Sequence, residues 1–148
     1  MSKMIPTIPS NLAGPLGLVH LPRLWLKALL AGSGQLADGY KDIGPGYDFM
    51  VLEAIGISPD AARTYIHSAK PSYFAFEKWI SAQPGAKLDK ATIDASNAAV
   101  VGYHHDDEDR IGILAAAGLP DDGRFQDAVT LNSFDDWTEA HAAVVKGS

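Results

Sequence analysis

His20-Leu21-Pro22-Arg23-Leu24-Trp25-Leu26-Lys27-Ala28-Leu29-Leu30 is apolar around its whole circumference except for two cations one helical turn apart, Arg23 and Lys27. Pro22 suits a first-turn position because its fixed φ is already helical, and Gly32 ends the segment. A helix wetted along one side keeps a polar stripe, so this one belongs to the interior of a helical protein. Arg23 and Lys27 then lie at least partly inside, where a cation needs a partner, either a protein carboxylate or an anionic ligand.

Working outward, helical start and stop signals recur along the chain. After the loop Gly32 to Gly39, Asp48 is an N-cap type for a short helix to Ile55, closed by Gly56. Ser58-Pro59 opens a third helix through His67. Lys70-Pro71 opens a fourth, with Tyr73, Phe76 and Ile80 at helical spacing before Pro84-Gly85. Asp89 caps a fifth to about Tyr103, and Asp106 or Asp107 a sixth that ends at Gly118-Leu119-Pro120. Ser133-Phe134-Asp135-Asp136 resembles a capping box and starts the last helix, with Phe134, Trp137, His141 and Val144 on one stripe. Val100-Val101 and Ala128-Val129-Thr130 are too isolated to build a sheet. The predicted class is all-α, an irregular bundle of about six or seven short helices in a single domain.

With 148 residues, 47% of them hydrophobic, the chain can bury a core without covalent help. It has no cysteine, which excludes thiol catalysis, thiolate zinc sites and iron–sulfur ligation. The net charge of −6, with no run of Lys or Arg, argues against nucleic acid or an anionic membrane as main partner. Met1 to Gly17, with Pro6, Pro9, Pro15, Gly14 and Gly17, lacks a signal-peptide core and reads as an extended arm ahead of one helical domain over 18–146. Leu16 to Ala31 carries Arg23 and Lys27 at its centre and falls short of the roughly 20 apolar residues of a membrane span, so the cytoplasm is the expected location.

His20-Leu21-Pro22-Arg23 with Lys27, then Gly39-Tyr40, Asp48, Gly56-Ile57, Trp79 and Asn97, line up in order with a known pattern: the chain resembles the bacterial domain-of-unknown-function family 5069. The likeness runs from about Gly17 onward and is most specific at Leu21-Pro22-Arg23 with Lys27. It implies a small, mainly helical bacterial protein and carries over no activity. In that family an acidic residue follows a Pro-Leu pair where this chain has Gly46-Tyr47-Asp48.

Arg23 and Lys27 suit a substrate carboxylate or phosphate, and a desolvated Lys27 suits a base or amine nucleophile. The structural reading of the same residues is pairing with Asp48 or Glu53, or snorkelling of their stems. His20, at the entrance of the helix, is an acid/base neighbour for Arg23 or a plain loop residue. Asn97 shares a face with Ile93, Val101 and, one or two turns on, His104 or His105; otherwise it ties down a loop. Trp79 and Tyr40 are pocket-lining candidates or, for Trp79, ordinary core. His104-His105-Asp106-Asp107-Glu108-Asp109 looks metal-like, but adjacent helical residues diverge, and the acids fit a helix start facing its dipole. Gly32-Ser33-Gly34-Gln35-Leu36-Ala37 matches a dinucleotide fingerprint but follows a helix and not a strand.

The first functional reading is a cofactor-independent enzyme, a lyase, isomerase or hydrolase, acting on a small anionic or polar molecule by general acid–base chemistry. His20, Lys27, Asp48 and His104 would carry catalysis, and Arg23, Tyr40, Trp79, Asn97 and His105 would bind substrate. No metal and no cofactor is expected, and a homodimer is compatible with the pattern. Two alternatives stand beside it: a non-catalytic small-ligand-binding or protein-interaction module, and a metal-dependent enzyme using His104 and His105. Geometry separates the first two. An enzyme needs these groups converging on an open cavity, whereas a module would hold them paired and sealed.

Overall fold

The computed structural model describes residues 3–146, so Met1, Ser2 and the closing Gly147-Ser148 lie outside it. Within these residues the protein is all-α, with α1 (Leu21–Gly32), α2 (Tyr47–Ala54), α3 (Pro59–Ala69), α4 (Tyr73–Ala82), α5 (Lys90–Val101), α6 (Asp107–Ala117) and α7 (Ala128–Lys146). Extended pairing among the described residues is confined to isolated bridges such as Met4 with Leu36. None of these helices is long and apolar enough to cross a membrane. The chain packs as two compact units, one ending at Val100 and the other starting at Val101, so the stretch 18–146 divides between them.

The first unit is built around α1. No residue from Leu21 through Ser33 is exposed, as its all-round apolar character requires. It packs against α2, α3 and α4. Leu21, Leu24 and Ala28 are fully buried at helical spacing, together with Ala62 and Ile66 of α3 and Phe76 and Ile80 of α4. Each fully buried large side chain of this kind contributes about 1.5–3 kcal/mol. Ser58 and Ser72 cap α3 and α4 by accepting from Ala61 N and Ala75 N.

The N-terminal arm is an integral part of this unit. Its Met4 N–H bonds Gln35 O at 2.6 Å, and Ala37 N–H bonds Met4 O at 2.9 Å. Leu16 N–H donates to the buried Glu77 carboxylate, which also accepts from Tyr73 Oη at 2.7 Å. Gly14 lies so close to these side chains that a Cβ there would sit 2.8 Å from Glu77 Oε2. Pro6, Ser10 and Leu18 are buried in consequence.

Three boundaries differ from the expected ones, each for a local reason. α2 begins at Tyr47 and not at Asp48, because Gly46 takes the cap position with φ 106°, a value only glycine adopts without strain. α5 ends at Val101, so His104 and His105 are not on it; its buried residues are Ser96 and Val100, whereas Val101 is exposed. α7 begins at Ala128, five residues before the expected capping box. Asp127 accepts from Thr130 N–H at 2.9 Å, and Ala128 N–H bonds Tyr103 O, which converts the β-rich Ala128-Val129-Thr130 run into a first helical turn.

The second unit pairs α6 with α7. Asp106 caps α6 by accepting from Asp109 N–H at 2.8 Å, and Gly118 closes it in the left-handed conformation. On α7 the buried residues are Ala128, Leu131 and Asp136, while Trp137 and Val144 of the expected apolar stripe face solvent.

Candidate functional site

The polar residues of the first unit converge where the arm, the start of α1 and the start of α2 meet. His20, just before α1, has φ 73°. A non-glycine residue in that left-handed region is strained by about 1 kcal/mol or more, and it persists only where the surroundings hold it. What holds it is a pair of hydrogen bonds: His20 Nε2 lies 2.6 Å from Asp48 Oδ1, and Nδ1 lies 3.1 Å from Ser10 Oγ. The Tyr47 ring lies 4.9 Å from the imidazole, centroid to centroid. Ser10, His20 and Asp48 are 1%, 1% and 3% exposed.

Asp48, in the first turn of α2, accepts three hydrogen bonds. His20 takes one oxygen, while Lys27 Nζ at 2.6 Å and Gly44 N at 3.1 Å share the other. Burial pushes the carboxyl up, but His20 and Lys27 overcome it and bring the pKa down to about 2. Burial has the stronger hand at His20, where it lowers the imidazole pKa despite Asp48. His20 is therefore neutral. Because the ionised Asp48 can only accept, the imidazole proton sits on Nε2, and Nδ1 accepts from the Ser10 hydroxyl.

Arg23, also buried, donates to Ile8 O at 3.0 Å and so holds the arm just before Ser10. Its charge is also felt at His20. Chemically the centre is a Ser–His–Asp line with the tautomer a general base needs, flanked by two cations. It is also closed. Ser10, His20 and Asp48 are committed to other protein atoms and are almost inaccessible to solvent.

The structure thus brings His20, Lys27 and Asp48 together, with Arg23 beside them. Asn97 serves backbone: its Oδ1 accepts from Val19 N–H at 3.0 Å and its Nδ2 donates to Gly17 O at 2.7 Å. Trp79, half-buried on α4, stacks on Tyr65 of α3 at 4.8 Å and 7°. Tyr40 is half-buried in the loop before α2. His104 and His105 lie beyond the end of α5, so they do not share its face with Asn97 as expected. Both belong to the second unit, where His105 Nε2 bonds Asn132 Oδ1 at 2.8 Å and His104 bridges to Asp127.

Ser10 and Glu77 escaped the sequence reading. A serine in a Pro-rich arm follows no spacing, and Glu77 sits on an otherwise ordinary amphipathic helix. Among the described residues, no group of three or more His, Asp or Glu is placed to hold a metal ion. No protein-family model matches the chain, and no curated protein matches it either.

Proposed function

We propose that this protein is a non-catalytic interaction module whose polar centre is a structural tie between the arm, α1 and α2. One observation carries the reading: Ser10, His20 and Asp48 are nearly inaccessible and fully occupied by one another and by Lys27 and Gly44. A buried, satisfied network of this kind gives the arm one defined position, and breaking it leaves uncompensated buried polar groups.

A second reading, acyl transfer by the hydrolase route, is favoured by the Ser10–His20–Asp48 line itself. In it the Ser10 hydroxyl is the nucleophile, His20 Nδ1 takes its proton, and Asp48 stabilises the imidazolium. It requires the arm to lift, because a nucleophile that is 1% exposed meets no substrate.

The test is a thermal-shift screen of the full chain against small carboxylates and phosphates, with ester hydrolysis followed in parallel for wild type, Ser10→Ala and His20→Asn. The module reading expects lower melting temperatures in both variants, no hydrolysis above background and no ligand shift that depends on these residues. Hydrolysis lost in Ser10→Ala, or a ligand shift lost in His20→Asn, would replace it with the enzyme reading.

A further inference from the structure

The second unit presents an apolar groove in strongly acidic surroundings. Ala128 N–H bonds Tyr103 O just ahead of α6, and His105 bonds Asn132, so α6 and α7 start side by side and run in the same direction. Between their later turns lies a cavity of about 420 Å³ lined mainly by the apolar Ala116, Leu119, Phe134 and Trp137, with Thr138 and His141 as its polar members. Trp137 is 66% exposed, and Val144 and Val145, seven and eight residues on and 81% and 68% exposed, continue the same face of α7. Scattered exposed apolar residues are ordinary, but a tryptophan and two valines in line with an apolar groove make a patch of the kind that marks association sites.

Charge says what covers it. Residues 101–148 hold ten acidic and three basic side chains, net −7, whereas residues 1–100 hold eight acidic and nine basic, net +1. All of the protein's excess negative charge is therefore in the second unit. Two of its three cations are already taken, Arg110 by Asp107 and Asp121, and Arg124 by Asp122. Asp109, on the α6 face that leads to Ala116, is exposed at the groove's approach.

We propose that this groove binds an amphipathic helix of a partner protein, with an apolar stripe seated on Trp137 and the α6/α7 cavity and Lys or Arg residues along its flanks. A second copy of the chain would oppose −7 with −7, and an anionic membrane would be repelled in the same way. The proposal rests on the module reading and names the partner's chemistry.

The experiment titrates the full chain into three labelled peptides of about 18 residues, five helical turns, followed by anisotropy: a Leu/Lys amphipathic helix, the same composition scrambled, and a Leu/Glu analogue. Binding of the Leu/Lys helix is expected at least about tenfold tighter than either control, weakening with added salt. Trp137→Ala and Ala116→Arg, both at exposed positions, should each weaken it about tenfold or more while keeping the wild-type circular dichroism. Equal binding of the scrambled peptide, or wild-type affinity in both variants, would overturn the proposal. Self-association of the free chain that Trp137→Ala abolishes would overturn it in favour of a second copy. A failed titration alongside an inert Ser10 removes this partner and leaves the module reading standing, whereas Ser10-dependent turnover removes the module reading whatever the peptides do.

Discussion

His20 and Asp48 are 28 residues apart in the chain and 2.6 Å apart in space, Nε2 to Oδ1, with the imidazole neutral and the carboxylate ionised. The contact depends on His20 taking a left-handed backbone conformation, which turns the side chain from the start of α1 toward the start of α2. It also depends on Lys27, one face of α1 further on, neutralising the same carboxylate from its other oxygen. Two local oddities, a strained histidine and an internal lysine, thus have one explanation.

Asp48→Asn should be among the most damaging single changes in the first unit. It removes the charge that compensates Lys27 and misplaces an amide against His20 Nε2–H, and breaking a buried pair this way costs about 3–5 kcal/mol. For a chain of this size that is a fall in melting temperature of roughly 10 °C. Differential scanning calorimetry of the variant checks it; a change of a degree or two would mean that the network contributes little.

Acidification should destabilise the protein in two stages. The folded pKa of His20 lies below 6.5, so as pH falls through 6.5 the unfolded chain takes up a proton that the folded one refuses, and stability drops. Asp48, about 2 folded against 3.8 unfolded, contributes on the order of 2 kcal/mol above pH 5 that is lost as pH falls through 3.8 toward 2. Urea unfolding from pH 7.5 to 3 should show both slopes, and the upper one should flatten in His20→Asn, whose amide does not titrate.

Arg23→Lys should loosen the arm. A lysine offers a point charge where the guanidinium donates along a fixed direction to Ile8 O, and loss of a charged hydrogen bond of this kind costs about 1.5–3 kcal/mol. Hydrogen exchange should quicken at the arm amides around Ile8 and Ser10 more than in α3. Unchanged protection there would show that the arm is held without Arg23.

Asn97→Ala should lower stability by about 1–3 kcal/mol, because Val19 N–H and Gly17 O both lose their partner. An unchanged melting temperature with altered ligand binding would instead give Asn97 a binding role. Melting curves read this directly.

The all-α class was legible in the sequence because helix caps, closing glycines and apolar spacing are local signals: Ser58 caps α3 and Gly118 closes α6 as their residue types indicate, whereas α4, expected to open at Lys70-Pro71, is capped by Ser72. The interior placement of Arg23 and Lys27 was legible too, since eleven consecutive residues with no wettable side leave a cation no surface to occupy. Asp48 was already a candidate partner for them in the sequence, and Lys27 bonds it; tertiary structure alone decided the rest of the network. Ser10 comes from an arm with no periodicity, and Asn97 and Glu77 reach it from helices 60 to 80 residues away. No spacing rule links residues whose contact exists only after the helices have packed. The start of α7 was only partly hidden: Asp127 is a local capping residue type, but the partner of Ala128 N–H is the Tyr103 carbonyl, 25 residues upstream. Whether the polar centre stands open or sealed was beyond sequence as well: polar residue types make a network conceivable, but only the packing of the arm over His20 decides how much water can reach it.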